Sequence, residues 1–304
     1  MISPSFLLLE SPRWQDYALL DSGSGLKLER FGPYIFSRPE SQAMWKPALN
    51  ESAWREAHAF FEPSAEESGG HWISRRPMQD KWQMRYPLPS GTGPHELQFW
   101  AMTTPGRHLG LFPEVAAHWD FMVERIRTAR RPLKVLNLFG YTGLASLAAA
   151  AAGAQVTHVD ASKKSVAWAR ENAALSGLSE KPIRWIVEDA LKFVQREARR
   201  ESRYDGIILD PPKFGRGPKG EVWEIYKSLP DLLEACRLVL SPRPVFLITT
   251  VYAVRASALH VAQALQEVLS ASPGQVEAGE LVTREKSAGR LLSQAVYARW
   301  SSSA

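Results

Sequence analysis

Residues 133–162 read LKVLNLFGYTGLASLAAAAAGAQVTHVDAS, and the order of patterns within them decides the fold class. LKVLNLF (133–139) is a continuous apolar strand. TGLASLAAAAAG is a helix of small side chains that stops at Gly153, and QVTHVDA (155–161) is a second apolar strand. The apolar run LASLAAAAAGA falls short of the ~20 residues that cross a bilayer, so it reads as a buried helix. Strand, helix, strand with apolar runs on both sides is the start of a parallel sheet covered on both faces.

The same alternation continues downstream. KKSVAWARENAALSGL is a helix with Ser162 as N-cap and Gly177 near its C-terminus. IRWIVED (183–189), ALKFVQREARRES, YDGIILD (204–210), a helix from about Glu221 to Leu240, RPVFLITTV (243–251) and the helix SALHVAQALQEVL follow. Two strands, QVEAGELVT and LLSQAVYARW, close the chain as a hairpin-like antiparallel pair. The expected fold is α/β: a doubly wound, Rossmann-like, mostly parallel seven-stranded sheet over residues 106–304.

Residues 1–105 read as a smaller, β-rich α+β accessory domain. YALLDSG and GLKLERFG flank a turn; HWISR, KWQMRYPL and ELQFWAMTT alternate as strands, and SAWREAHAFF reads as a short helix. Seven of the 11 tryptophans precede residue 120, and their expected role is packing, because aromatic side chains usually supply buried area. The start, MISPSFLLLE, lacks the basic flank and the length of a signal peptide. One cysteine in 304 residues excludes an internal disulfide and a cysteine metal cluster, and fits a reducing cytoplasm. The net charge of +5 is uneven: residues 1–120 hold 11 Lys+Arg against 14 Asp+Glu, and the rest of the chain 26 against 18. A basic C-terminal part suits a polyanionic partner.

In an open parallel sheet, ligands bind beyond the carboxyl ends of the strands. The first strand runs into NLFGYTG, where Gly140 and Gly143 permit a tight turn. The second ends at Asp160, 20 residues past Gly140, the distance at which an acid reaches a nucleoside ribose in such folds. The third ends at Glu188 and Asp189, and the fourth at LDPPKFGRGPKG (209–220). The dinucleotide fingerprint is absent, since Phe139 and Tyr141 stand where it needs small residues. A smaller nucleoside ligand follows. Pro211 and Pro212 fix the backbone without donating hydrogen bonds, so the turn presents the Asp210 carboxylate and bare carbonyls to that ligand. Phe214 is placed to stack on a base, and Lys213, Arg216 and Lys219 to meet phosphates.

Taken together, NLFGYTG, VDAS, VEDA and LDPPKF resemble the class I methyltransferases that use S-adenosylmethionine, and within them the bacterial large-subunit rRNA family acting on cytosine C5 or guanine N7. The match runs from about Gly106 to Leu259. It implies that Asn137, Phe139, Gly140, Tyr141, Thr142 and Gly143 surround the methionine part of the cofactor. It further implies that Asp160 and Ser162 serve the ribose, Asp189 and Ala190 the adenine, and that Asp210 stands between cofactor and acceptor. Asp210, Pro211, Lys213 and Phe214 are the catalytic candidates, S-adenosylmethionine the cofactor, RNA (ribosomal RNA first) the partner, with no metal and no membrane.

The chain departs from that family in three places. No basic RNA-binding module of the PUA type precedes the match. GLFPEVA (110–116) carries Ala116 where the family has a basic residue. LITTVYAV carries Val251 where the cytosine branch has its cysteine. Cys236 cannot substitute, because Leu229, Leu232, Leu233, Cys236, Val239 and Leu240 form one apolar helix stripe. His118 and His260 fall on helical patterns where packing or surface roles are the default. The expected reaction is transfer to a base nitrogen without a cysteine nucleophile. A small-molecule or protein methyltransferase, and a cofactor-binding assembly factor, remain alternatives.

Overall fold

A computed structural model describes residues 5–64, 69–91, 96–252 and 257–303. The first part contains β1 (Ser5–Leu9), β2 (Tyr17–Gly23), β3 (Leu26–Phe31), β4 (Tyr34–Pro39), a short helix α1 (Glu51–Arg55), β5 (Ala59–Pro63), β6 (Gly70–Ser74), β7 (Trp82–Pro87) and β8 (Glu96–Ala101). After a 3₁₀ turn at Pro113–Val115 come α2 (Ala116–Thr128), β9 (Lys134–Leu138), α3 (Leu144–Ala151), β10 (Gln155–Asp160), α4 (Lys163–Leu175), β11 (Ile183–Val187) and α5 (Ala190–Arg199). The remainder is β12 (Gly206–Leu209), β13 (Phe214–Arg216), β14 (Val222–Glu224), α6 (Ile225–Val239), β15 (Phe246–Val251), α7 (Ala258–Val268), β16 (Gly274–Arg284) and β17 (Leu291–Ser302).

The large sheet has the order β1-β16-β17-β15-β12-β9-β10-β11. From β15 to β11 every pair is parallel, and β17 runs antiparallel to both its neighbours. Strand order reverses between β9 and β12, which places the ligand-binding crevice at their carboxyl ends. Apolar residues of α2, α3 and α4 pack on one face, among them Trp119, Met122, Leu147 and Ala173. Those of α5, α6 and α7 pack on the other, among them Phe193, Leu233, Cys236 and Leu265.

An eighth strand joins the expected seven. β1 adds in parallel to β16, with Leu7 opposite Gly279. A Cβ at Gly279 would lie 1.8 Å from the Leu7 carbonyl oxygen, so only glycine admits the strand. Three other elements differ from the sequence reading. SAWREAHAFF is helical only to Arg55; Ala59–Pro63 is a strand between β4 and β6. GRGPKG is the turn of a two-stranded hairpin, β13–β14, and α6 starts at Ile225 and not near Glu221. Tyr34–Pro39, unassigned from sequence, pairs with β3.

Trp14, Trp72 and Trp82 are packing groups, as expected. Trp82 stacks on Phe36 with centroids 5.5 Å apart, and Trp14 meets Tyr86 and Trp119 edge-on. These side chains share one apolar cluster with α2 and α3. The β7–β8 hairpin is also fastened to α4, where the Trp100 and Gln98 amides donate to Asn172 Oδ1 and Ser176 Oγ.

Among the described residues no helix is long and apolar enough to cross a membrane. Replacing Gly279 with alanine should displace β1 and lower stability by more than ~1 kcal/mol, since a side chain is forced into an incompatible position. Hydrogen exchange should then show loss of protection confined to Ser5–Leu9 and its β16 partners; unchanged protection there would refute the role given to this glycine.

Candidate active site

The turn after β9 is built from unusual backbone. Phe139 and Tyr141 have φ of 57° and 48°, and Gly143 has φ of 88°. Non-glycine residues rarely adopt that region, and when they do the surroundings must hold them there. Here they do. The Tyr141 amide donates to Asp160 Oδ2 at 2.8 Å, the Thr142 hydroxyl to the Gly110 carbonyl at 2.7 Å, and Asn172 Nδ2 to the Thr142 carbonyl at 2.9 Å. Gly140 is needed for a different reason than the turn itself: a Cβ there would meet the His158 ring at 2.4 Å.

Asp160 Oδ1 accepts the Ser162 amide at 2.8 Å. Each carboxylate oxygen thus holds one backbone N–H and keeps further lone-pair sites for ligand hydroxyls. Burial raises the Asp160 pKa, and the Ser162 and Tyr141 amides work against that rise. Ser162 Oγ caps α4 through the Ser165 amide. Asp189 caps α5 through the Lys192 amide, with Ala190 buried beside it. Glu188 is paired with Arg196, so of the two acids ending β11 only Asp189 lacks a cation partner of that kind among the described residues.

A cleft of about 560 Å³, part of it open to solvent, lies over the ends of β9, β12 and β15. Asn137, Phe139, Gly140, Tyr141, Thr142 and Asp210 line it. Asn137 is committed inside the protein, donating to Ser146 Oγ at 2.9 Å. Asp210 is half-buried as a residue, but its Oδ1 is inaccessible and has no partner among the described residues. Burial, and then the Glu114 carboxyl, raise its pKa well above the carboxylate range. The Tyr252 hydroxyl is likewise buried and unpartnered, and its pKa is raised by burial, by Asp210 and by Glu114. The Phe112 ring bridges Tyr141 and Tyr252 at 5.9 and 5.3 Å.

Pro211, Lys213 and Phe214 do not line the cleft. Pro211 is buried, Phe214 is 59% exposed on β13, and the Lys213 ammonium lies 5.3 Å from the Phe214 ring centroid. Nor are the carbonyls of this turn all bare: Pro212 accepts from Trp223 Nε1 at 2.7 Å, and Trp223 packs on Phe139 at 4.9 Å. The basic loop is a closed hairpin. Gly217 donates to the Glu221 carbonyl, and Lys192 pairs with Glu221 at 2.8 Å. Cys236 is fully buried and its thiol pKa is pushed up by burial, which makes it inert. Among the described residues no cluster of three or more His, Cys, Asp or Glu could hold a metal ion. Sequence reasoning did not pick out Phe112, Tyr252 or His118 as site residues, although GLFPEVA flagged the segment that carries Phe112 and Glu114.

Residues 67–268 match the family of S-adenosylmethionine-dependent methyltransferases. Over its whole length the chain is similar to the S-adenosylmethionine-dependent methyltransferase of Agrobacterium tumefaciens, with 46% identity, a TM-score of 0.90, and 99% of this chain and 96% of that one covered. A putative methyltransferase from Streptococcus mutans shares the fold at 16% identity and TM-score 0.72, over 95% of this chain and 76% of that one. The ribosomal RNA large subunit methyltransferase K/L of Shewanella sp. strain ANA-3 is 41% identical over 112 residues, which is 36% of this chain and 16% of that protein. The chain therefore spans about one sixth of the curated relatives' length.

Asp160→Ala frees the Tyr141 and Ser162 amides, loosening the turn that lines the cleft, and removes the acceptor expected to serve the ribose. Cofactor affinity should fall ten- to hundredfold, the equivalent of losing about 1–3 kcal/mol. Asp189→Ala should weaken it as well, with an added helix destabilisation of ~1 kcal/mol from the lost cap. Calorimetric titration checks both; wild-type affinity in both variants would overturn the assignment.

Proposed function

The chain belongs to the family of S-adenosylmethionine-dependent methyltransferases, and we propose that it methylates a base nitrogen of RNA, ribosomal RNA first, by direct displacement without a cysteine nucleophile. The observation that carries this reading is the buried, unpartnered Oδ1 of Asp210 at the mouth of the strand-order reversal. An orphaned acceptor in a low-dielectric site demands a donor, and a base N–H or amino group supplies one.

S-adenosylmethionine contributes a methyl group bonded to a sulfonium. The protein contributes orientation, exclusion of water and placement of acceptors. Asn137 to Gly143, Asp160 with Ser162, and Asp189 with Ala190 are the residues we assign to the cofactor, and Asp210 with Pro211, Lys213 and Phe214 those we assign to the acceptor side. At an exocyclic amine one proton leaves as the nitrogen–carbon bond forms, and Asp210, whose raised pKa makes it a better base, adjoins it. At a ring nitrogen such as guanine N7 a lone pair is already available and no proton leaves; this acceptor ranks first. Methylation of a pyrimidine at C5 would call for a thiolate, and the single thiol lies in the core on α6. The +8 balance of residues 121–304, from 26 Lys+Arg against 18 Asp+Glu, supports a polyanionic substrate, and a buried single cysteine suits a cytoplasmic setting. Residues 1–105 are the accessory part in this reading, except that β1 belongs to the large sheet.

Exposed Arg216 and Lys219 sit on the hairpin that follows Asp210. Replacing both with alanine should lower the slope of log K against log salt for RNA by close to two counterions, with cofactor affinity unchanged. A wild-type slope would show the hairpin to be a surface turn only.

The acceptor assignment is checked by the product. Cys236→Ala should retain activity wherever it folds, no covalent adduct should form with a 5-fluoropyrimidine RNA, and nucleoside mass spectrometry should report a methylated base nitrogen. A 5-methylpyrimidine that vanishes with Cys236 would overturn the proposal.

A further inference from the structure

His118 is 3% exposed, lines the cleft from the first turn of α2, and has neither ring nitrogen hydrogen-bonded. Its neighbours on the cleft wall are apolar: Trp119, Met122, Leu144, Ile208 and Ile248. Of the other polar groups there, Asn137 and Thr142 are committed to Ser146 and to the Gly110 carbonyl, and Asp210 offers an unmet acceptor but no cation. A neutral imidazole left with both an unmet donor and an unmet acceptor in an apolar wall is a costly arrangement. In a native site such a group is explained by what binds there.

The ring's open donor calls for an acceptor on the ligand. The His118 ring packs edge-on against Tyr297 at 5.2 Å, and the Arg299 guanidinium lies 5.7 Å from the same Tyr297 ring. Burial and then the Arg299 charge keep His118 neutral, with its pKa lowered to about 3. Arg299 is itself paired with Glu277 at 2.6 Å, so what faces the ligand is a neutral ring with an open N–H and not a free cation. The first amides of α2 are already bonded, Ala116 to the Pro113 carbonyl and Ala117 to Ser11 Oγ, so the donor left open here is the His118 ring itself.

We infer that His118 is a cofactor-positioning residue, whose ring N–H donates to the carboxylate at the amino-acid end of S-adenosylmethionine. The inference rests on the proposed placement of the methionine part beside Asn137–Gly143, since Asn137 and Phe139–Thr142 line the same cleft as His118. It assigns to the first turn of α2 a role in selecting the complete cofactor over fragments that share its nucleoside.

Three ligands separate the possibilities: S-adenosylhomocysteine, decarboxylated S-adenosylmethionine, and 5′-methylthioadenosine, which lacks the amino-acid end. Calorimetry with His118→Phe, which keeps a ring against Tyr297, should show affinity for S-adenosylhomocysteine lowered about tenfold or more, with the other two ligands bound as by the wild type. His118→Gln, which restores a donor, should recover part of the loss. Equal weakening for all three ligands would make His118 a packing residue, and no weakening would remove it from the site; either result overturns the inference. Asp160→Ala is the control for the cofactor's placement, because it should weaken all three ligands together. If it weakens none, the placement fails before His118 is tested. An independent readout needs no variant: the nitrogen-15 shifts of the His118 ring in the wild-type protein should move with S-adenosylhomocysteine and stay put with 5′-methylthioadenosine. Equal movement with both would also overturn it.

Discussion

The Asp160 carboxylate is the tie on which the cleft depends. Its two oxygens hold the Tyr141 and Ser162 amides, one from the turn after β9 and one from the start of α4. The turn it fastens has two aromatic residues in left-handed backbone, a conformation costing of order 1–3 kcal/mol per residue unless the surroundings fix it. Burial raises the carboxyl's pKa, which sets a direction for its pH dependence. The folded chain therefore takes up a proton at Asp160 more readily than the unfolded one, and ionisation costs stability as the pH rises, a cost that the two amides offset in part. One side chain therefore fixes the turn whose residues Phe139–Thr142 line the cleft.

The aromatic residues of that turn have work on both sides. Phe139 reaches back to Trp223, whose indole N–H holds the Pro212 carbonyl. Tyr141 reaches forward to Phe112, which touches Tyr252. The turn after β9, the turn after β12 and the hairpin β13–β14 are thus one packed assembly and not three independent loops. A compact glycine turn would satisfy the backbone, but it would leave the Asp210 turn without its lateral support.

How much of this the sequence disclosed follows from range. Strands β9, β10, β12 and β15 were legible because a strand buried on both faces must be a continuous apolar run. Asp160 was legible because its distance from Gly140 is set by one strand-helix-strand unit. β1 was not: its side chains are mostly exposed, and its partner β16 lies at the other end of the chain. β5 was hidden by a helix-like pattern, which ends where the His58 amide bonds to the Ile35 carbonyl, a contact invisible locally. The hairpin's strands are three residues each, too short for any period to show. His118 was passed over because one histidine on a helical stripe is read as packing; only the missing partners of both ring nitrogens mark it out.

The polar groups of the cleft also divide labour by charge. Asp210 has Glu114 as the charged group acting on it, and Tyr252 feels both acids. No cation offsets the burial of Asp210 among the described residues, so two carboxyls and a phenol crowd a region where ionisation is disfavoured. Such a region repels phosphate and accepts neutral donors, the amino and imino groups of a base edge. The cations that could meet phosphate, Arg216 and Lys219, stand outside on the hairpin. On the proposed reading, RNA is held by its backbone at the hairpin while one base enters the cleft; the Trp223 indole bonded to the Pro212 carbonyl ties that hairpin to the Asp210 turn.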